Sequence, residues 1–247
     1  MKVTIIGSSD AFGSGGRLQT CFHVASDAGQ FLIDCGATSL IGLDRQQIDP
    51  NGISTIFITH LHGDHFAGLV WWLIHAVHLV KRTKPLTVVG PAGIEARFAA
   101  AAEALFPGST AVERRFDLVF RTYEDFVPLE AGGVTVTPFV VSHPSGATSY
   151  ALRFEVDGKI LTFSGDTEWV ESLIGAANGA DLFICECFAF EQAARYHLNW
   201  RTIEANLERL GAKKLLLTHL GPEALANQGS IRHRTVAIAN DGLQLDI

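Results

Sequence analysis

Cysteine is scarce in this 247-residue chain, and the four cysteines lack the spacing of a metal or redox motif. They are Cys21, Cys35, Cys185 and Cys187, and no two of them form a CxxC pair. A chain of this length can bury a core without disulfide bonds. The N-terminal residues also lack the long apolar run and small-residue cleavage site of a signal peptide. Together these absences predict a reduced, cytoplasmic protein.

Long apolar runs and positive charge are also lacking. The longest candidate run, residues 66–80, contains Gly68, His75 and His78 and is shorter than the ~18 apolar residues of a membrane helix, so no membrane partner is expected. Charged residues make up 18% and apolar residues 47%, which predicts a buried core rather than disorder. The formal net charge of −7 disfavours tight nucleic-acid binding, which relies on clustered Lys and Arg, although a local basic patch stays compatible with it.

The chain is organised as two similar halves, each running from strands into helices. Apolar and β-branched patterning predicts strands over 3–7, 20–25, 30–34, 55–59, 86–89, 134–141, 149–156, 159–164, 181–186 and 214–218, and a last edge strand within 242–247. Helices are predicted over 66–80, 94–105 and 202–210. No linker or solenoid-period repeat is visible. We therefore expect a single domain over residues 1–247, with helices covering the outer faces of two packed sheets.

The segment Thr59-His60-Leu61-His62-Gly63-Asp64-His65 places four potential metal ligands between a strand and a helix. Side chains two apart in an extended segment project to the same side, as His60 and His62 would. A turn at Gly63 can then present Asp64 and His65 to a neighbouring position. Imidazole and carboxylate ligands without a thiolate suit Zn²⁺, Mn²⁺ or Fe²⁺. Polar loop residues or satisfied buried histidines are the alternative, and the density of ligands favours the metal site.

Two metal ions need more ligands than this segment holds, and three further residues share its setting. His143, Asp166 and His219 each follow a predicted strand and stand beside a glycine-containing turn. Residues at the ends of neighbouring strands can converge on one rim of a sheet. Each residue alone would more often be structural, but beside the histidine segment all three are predicted metal ligands.

The motifs occur in the order HxHxDH, a distant His, a distant Asp and a final His. This order resembles that of the metallo-β-lactamase superfamily, and the match runs from Gly7 to His219. The resemblance implies an α/β fold, a four-layer αββα sandwich of the metallo-β-lactamase type. It implies that His60, His62 and His143 hold one metal ion. It implies that Asp64, His65 and His219 hold the other. Asp166 would bridge the ions beside a hydroxide that attacks the substrate.

The resemblance also separates this chain from the true β-lactamases of the superfamily. An Asp at the bridging position is typical of the binuclear hydrolases, whereas those β-lactamases carry Cys there. Asp34 matches an earlier aspartate that is implied to hold the histidine segment rather than to bind metal, although a simple turn residue before Gly36 is the alternative.

Glu186, within Cys185-Glu186-Cys187, and His197, within Tyr196-His197-Leu198, resemble the tRNase Z and cyclic-phosphodiesterase branch. There, Glu186 would orient His197, and His197 would donate a proton to the leaving oxygen or bind a phosphate oxygen. The alternative is that His197 only abuts the helix near Thr202.

The opening segment, Gly7 to Gly16, also resembles that branch. Its backbone N–H groups either approach an anionic ligand or form a plain flexible turn.

The resemblance has one clear gap, because processing tRNases of the bacterial form carry a tRNA-gripping arm between the third His and the bridging Asp. Here only a predicted hairpin, residues 149–164, joins His143 to Asp166. We therefore expect a binuclear hydrolase, most compatible with a phosphodiesterase that cleaves small or cyclic phosphodiesters, with two Zn ions (Mn or Fe are alternatives). The predicted catalytic residues are Asp64, Asp166, His197 and Glu186. A lactonase or other ester or amide hydrolase is the first alternative, a tRNA 3′-processing endoribonuclease the second, and a redox or metal-dependent binding protein the weakest.

Other residues are expected to be structural. His75 and His78 on the apolar helix, His23, His233 and the two cysteines flanking Glu186 have no partner motif. Of the adjacent pair Trp71-Trp72, one ring can face outward, which suggests a homodimer through this helix. No single arginine among Arg153, Arg201, Arg232 and Arg234 is predicted to bind substrate. Residues 109–128 are irregular and long enough for a lid, a point that the sequence leaves open.

Overall fold

Fourteen strands form two seven-stranded sheets in the computed structural model, which describes all residues, 1–247. The strands are β1 (Lys2–Gly7), β2 (Cys21–Ser26), β3 (Gly29–Ile33), β4 (Ile53–Phe57), β5 (Leu86–Gly90), β6 (Leu118–Thr122), β7 (Leu129–Ala131), β8 (Val134–Val141), β9 (Ser149–Val156), β10 (Lys159–Phe163), β11 (Leu182–Glu186), β12 (Leu215–Thr218), β13 (Val236–Ile238) and β14 (Gln244–Asp246). The first sheet has the order β14-β1-β2-β3-β4-β5-β6, and the second has the order β13-β12-β11-β10-β9-β8-β7.

Eight α-helices accompany the sheets. They are α1 (Ser39–Arg45), α2 (Gly63–Phe66), α3 (Gly68–Ile74), α4 (Ile94–Leu105), α5 (Ser172–Ala177), α6 (Trp200–Ala205), α7 (Leu207–Leu210) and α8 (Pro222–Asn227), and a π-helical turn, His75–Leu79, continues α3. The longest, α4, has 12 residues, and no helix combines the length and hydropathy that a membrane crossing needs.

Three clusters of buried side chains divide the protein into four layers. The central cluster lies between the sheets, where Phe22 of β2 meets Phe163 of β10 at 4.9 Å between ring centroids, edge to face. A second cluster packs α3 and α4 on the outer face of the first sheet, and a third packs α5, α6 and α8 on the second. Strands covered on both faces are apolar at nearly every position, as β11 and β12 are. The predicted αββα sandwich is confirmed.

The hairpin predicted between His143 and Asp166 is present. β9 and β10 pair antiparallel, and Asp157 and Gly158 turn the chain with φ of 53° and 68°. Positive φ at both central positions is the mark of a tight two-residue hairpin turn. No longer arm interrupts this part of the chain.

Several elements differ from their predicted bounds. The helix predicted over 66–80 starts earlier, at Gly63, and is divided into α2, α3 and the π-helical turn. The helix predicted over 202–210 begins at Trp200 and is interrupted at Asn206, whose φ of −116° is not helical. Residues 118–122, inside the stretch considered as a lid, form β6, the edge strand paired with β5.

The strand ends fix the position of the site. β10, β11 and β12 run parallel, and β8 runs parallel to β10 because each pairs antiparallel with β9. Their carboxyl ends therefore lie on one rim of the second sheet. The amide of Tyr150, in β9, donates to the carbonyl of Thr59, just beyond β4, at 3.1 Å. This contact brings the histidine segment of the first sheet to the same rim.

Candidate metal centre

The first group of candidate ligands consists of His60, His62 and His143, whose ligand atoms all lie within 4.8 Å of one another. Nε2 of His143 faces Nδ1 of His62 at 3.0 Å. The other ring nitrogen of His143, Nδ1, lies 2.9 Å from the carbonyl oxygen of Tyr196, to which it can donate a proton. That contact leaves the Nε2 lone pair of His143 directed into the group, as a metal ligand requires.

The second group consists of Asp64, His65, Asp166 and His219, all buried and within the same 4.8 Å limit. Nε2 of His65 lies 3.3 Å from a carboxylate oxygen of Asp64 and 3.3 Å from one of Asp166. Nε2 of His219 lies 3.3 Å from the other carboxylate oxygen of Asp166. Asp64 and His65 stand on the single turn of α2, so the predicted turn at Gly63 is helical.

Asp166 also reaches the first group. Its Oδ2 lies 3.8 Å from Nε2 of His60 and 3.9 Å from Nε2 of His143. Burial opposes ionisation of this carboxyl, but His219, His65 and His60 outweigh burial and hold its pKa well below the usual value. One ionised carboxylate therefore stands between two sets of imidazoles, the position that a bridging ligand would occupy.

These residues fit a divalent metal ion. Nε2 of His60, Nε2 of His65 and Oδ1 of Asp166 are buried, and none of them makes a hydrogen bond of acceptable geometry, although the last two lie 3.3 Å apart. Each buried unsatisfied polar group costs about 1–3 kcal/mol, so three in one site call for another partner. Imidazole and carboxylate donors without a thiolate suit Zn²⁺, Mn²⁺ or Fe²⁺.

Asp34 holds the histidine segment in place. Its carboxylate accepts hydrogen bonds from the amide of Thr59 at 2.7 Å, the hydroxyl of Thr59 at 2.8 Å and Nδ1 of His65 at 2.6 Å. Donation from Nδ1 fixes the His65 tautomer and points Nε2 into the centre. The contacts are those that the resemblance implies, and they exclude the simpler description of Asp34 as a turn residue.

Left-handed backbone is concentrated around this centre. Asp34, Tyr196 and His219 have φ of 57°, 66° and 58°, and they are three of only seven non-glycine residues with positive φ. Such conformations cost about 1–3 kcal/mol each and persist where the surrounding structure enforces them.

A half-exposed imidazole, His197, is paired with buried Glu186 beside the two groups. Nδ1 of His197 lies 3.1 Å from Oε1 of Glu186, which also accepts the amide of Thr167 at 2.6 Å. Burial lowers the pKa of His197, but the hydrogen bond and charge of Glu186 outweigh burial and raise it to about 9. Ligand atoms of His143, Asp166 and His197 lie within 4.8 Å of one another. The helix that follows is capped by Asn199, not by His197.

The residues set aside on sequence grounds lie outside these groups. His23 contacts Gln30, and His233 contacts Thr235. Cys185 and Cys187 are buried in the outer apolar cluster of the second sheet. Arg153 pairs with Glu155, and Arg201 pairs with Glu191 and Glu204.

Sequence reasoning missed two contacts that orient ligands. The carbonyl of Tyr196 meets Nδ1 of His143, and the Thr20 hydroxyl meets Nδ1 of His219 at 3.3 Å. A backbone carbonyl carries no residue-type signal. Thr20 stands near the start of a strand far from any motif, so nothing in the sequence singles it out.

Four backbone amides of the opening segment donate hydrogen bonds within the segment, so these four are not free to form an anion cradle. Oδ1 of Asp10 accepts the amides of Phe12 at 3.2 Å and Ser14 at 3.0 Å. The amide of Gly13 donates to the carbonyl of Asp10, and that of Gly16 to the carbonyl of Gly13. These four donors are used inside the segment, which is a fixed loop rather than a plain flexible turn.

Comparison with known proteins agrees with this geometry. The family model described as anti-Pycsar protein Apyc1 matches residues 1–241. Ribonuclease Z from Agathobacter rectalis is 26% identical over 274 residues, covering 90% of this chain and 88% of the relative.

Two solved structures show the same fold. Human tRNase Z, short form, has a TM-score of 0.81 at 24% identity, covering 100% of this chain and 99% of that one. YhfI from Bacillus subtilis, a metallo-β-lactamase fold protein, has a TM-score of 0.77 at 23% identity, covering 99% and 98%. The protein thus has the metallo-β-lactamase fold, and because the family match spans nearly its whole length, the chain belongs to the anti-Pycsar protein Apyc1 family.

Proposed function

We propose that this protein is a binuclear metal-dependent phosphodiesterase that cleaves small or cyclic phosphodiesters. The observation that carries the proposal is the position of Asp166, whose buried carboxylate contacts imidazoles of both ligand groups. His60, His62 and His143 would hold one ion, and Asp64, His65 and His219 the other, with Asp166 between them. Zinc suits this ligand set best, and manganese or iron is compatible with it.

The metal ions and the side chains would have different roles in the reaction. Two divalent ions bound there would supply a nucleophile at neutral pH and stabilise the negative charge that develops on the phosphoryl oxygens. Asp64 and Asp166 direct carboxylate oxygens into the same space and can accept a hydrogen bond from the attacking water. They would thereby orient it.

His197 would complete the reaction by protonating the leaving oxygen. Its Nδ1 is bound to Glu186, so the proton available for transfer is the one on Nε2. Glu186 is buried and ion-paired with His197, so it favours the charged imidazolium and fixes the ring. A proton donor of this kind assists the departure of an alkoxide, and the Glu186–His197 pair is the feature in which this chain resembles the phosphodiesterase branch.

The lack of an arm supports a small substrate. Only the β9–β10 hairpin lies between His143 and Asp166, and the net charge of −7 gives little general attraction for a polynucleotide. We therefore favour small or cyclic diesters over tRNA precursors.

Steady-state hydrolysis tests the proposal. Zinc- and manganese-loaded protein would be assayed with bis(p-nitrophenyl) phosphate, a homoserine lactone and a chromogenic β-lactam. His197→Ala would be compared with His78→Ala, a control at an exposed position away from the site. We expect preferential diester cleavage that His78→Ala leaves unchanged. His197→Ala should lower kcat about 100-fold for a cyclic alkyl phosphodiester added to the series, because its alkoxide leaving group needs the proton of a general acid. The loss should be smaller for bis(p-nitrophenyl) phosphate, because p-nitrophenolate leaves without one. Lactone or lactam turnover indifferent to His197 would reject the phosphodiesterase assignment.

A further inference from the structure

The opening loop, residues 8–16, displays one aromatic ring to solvent. Phe12 is 84% exposed, the most exposed of the large hydrophobic side chains. The backbone that carries it is fixed, because buried Asp10 accepts the amides on either side of Gly13 and the Gln19 side chain donates to the carbonyl of Ala11 at 3.1 Å. A single exposed apolar ring is common on protein surfaces, so the distinguishing features of Phe12 are the fixed backbone that carries it and the location of that loop next to the candidate metal centre.

The opening loop lies between the segments that carry two of the candidate metal ligands. On one side, the amide of His219 donates to the carbonyl of Ser8 at 3.0 Å, and the hydroxyl of Thr20 bridges the carbonyl of Ser9 and Nδ1 of His219. On the other side, Gln19 packs on Gly36. Gly36 in turn lies so close to Asp64 that a Cβ there would stand 2.3 Å from the Asp64 carbonyl oxygen. Ala11, the neighbour of Phe12 in the chain, is thereby tied through Gln19 and Gly36 to the backbone of Asp64, a member of the second ligand group.

His197 stands on a different side of the same centre. It stacks on the ring face of His219, with centroids 5.7 Å apart, and its ligand atom is grouped with those of His143 and Asp166. The opening loop instead meets the Nδ1 edge of His219 through Thr20. If His197 protonates the leaving oxygen, the leaving group occupies the His197 side. In an acyclic diester, the ester group that stays on phosphorus is then free to extend to the other side of His219, where the opening loop lies.

We propose that Phe12 is a specificity-determining residue that packs against an aromatic ring on the ester group retained by phosphorus. The proposal rests on the proposed phosphodiesterase function and adds a substrate class to it, diesters whose retained group carries a planar ring. Contact between two such rings adds to the burial of apolar surface and tolerates different ring chemistry. Phe12 would not strengthen the binding of diesters whose retained group is an alkyl group.

Two substrates with the same leaving group separate this role from a general one. Bis(p-nitrophenyl) phosphate keeps an aromatic ester group after p-nitrophenolate leaves, whereas methyl p-nitrophenyl phosphate keeps only a methyl group. For Phe12→Ala, we expect KM to rise about fivefold to tenfold with the first substrate and to stay within about twofold with the second, the range of an aromatic pair. Phe12→Tyr should restore the KM. Leu79→Ala, at a 72% exposed position on the π-helical turn, is the matched control and should change neither KM.

A binding measurement gives a readout that needs no turnover. Calorimetry with metal-loaded protein would compare phenylphosphonate with methylphosphonate, alongside metal content for each variant. Phe12→Ala should weaken only the phenyl compound. Suppose that the wild-type protein cleaves neither diester but binds phenylphosphonate, and that Phe12→Ala weakens this binding. The proposed phosphodiesterase function would then be wrong, whereas the aromatic contact of Phe12 would be supported. Equal losses for the aromatic and methyl compounds, or no loss for either, would overturn the role of Phe12.

Discussion

The carboxylate of Asp166 lies between the two groups of imidazoles, with one or both of its oxygens 3.3–3.9 Å from ring nitrogens of each group, so its removal should affect both candidate ions. We expect Asp166→Ala to bind fewer than two equivalents of zinc and to lose at least about 100-fold in metal affinity. This loss is at or above the upper end of the loss caused by removing residues that only orient metal ligands. Metal content after dialysis against a buffered zinc series measures the change. An Asp166→Ala variant that retains two tightly held ions would contradict the bridging position.

Glu186 sets the charge of His197, and this predicts a pH dependence. The protonated imidazole would be the donor, so activity should fall as pH rises through the pKa of His197, which Glu186 raises to about 9. Glu186→Gln removes the negative charge and lowers that pKa. The alkaline limb of kcat should then move to lower pH by about one unit or more. Rate profiles from pH 6 to 10, on metal-loaded enzyme, provide the test, and an unmoved alkaline limb would separate Glu186 from proton donation.

At the scale of elements, the junction between α2 and α3 depends on a close approach of two backbones. A Cβ at Gly68 would stand 2.2 Å from the carbonyl oxygen of Gly36 and 2.7 Å from that of Cys35. The amide of Gly68 also donates to the Cys35 carbonyl at 2.9 Å. This contact holds the histidine segment against the strand end that carries Asp34.

Gly68→Ala should therefore push α3 away from the Asp34 segment. We expect a loss of about 2–4 kcal/mol in the free energy of unfolding, because the obstructing atoms are backbone and cannot rotate aside. Gly63→Ala is a suitable comparison, since a Cβ there would meet only the Ala67 side chain at 3.9 Å. Urea denaturation of both variants measures the difference, and equal stabilities would show that the junction can relax.

At the scale of the whole molecule, metal removal should destabilise the fold. Buried atoms of His60, His65 and Asp166 have no hydrogen-bond partner, so ions that satisfy them bind the folded chain and not the unfolded one. An ion present at 100 times its dissociation constant would add about 2.7 kcal/mol. We expect a chelator to lower Tm by several degrees, still in one transition, because both sheets share the central cluster of buried side chains. Two separate transitions would contradict the prediction of a single domain.

The predicted homodimer would have to use Trp71 rather than Trp72. Trp72 is buried, whereas Trp71 is 36% exposed and packs edge to face with Phe106, with centroids 6.0 Å apart. We expect light scattering to give twice the chain mass for the wild type and the chain mass for Trp71→Glu. A monomeric wild type would end the hypothesis.

The sequence by itself determined the layered fold and the candidate ligands. Buried strands leave apolar runs, as β12 does, or an alternation of apolar and polar residues, as the first half of β8 does. Such patterns precede His60, His143, Asp166 and His219, so β4, β8, β10 and β12 could be placed from the sequence. It did not reveal β6, β7 or β13. Strands of three to five residues at a sheet edge depend on pairing with a neighbour rather than on their own pattern.

Only the tertiary structure decided how the site is assembled. It placed Asp166 within reach of both groups and gave His143 the carbonyl of Tyr196 as a partner. It also directed four amides of the opening loop into internal hydrogen bonds and left the Phe12 ring exposed. These contacts join residues far apart in the chain or depend on backbone groups that every residue shares. A residue type at a strand end predicts what a side chain can bind, but packing between the two sheets decides which side chains meet.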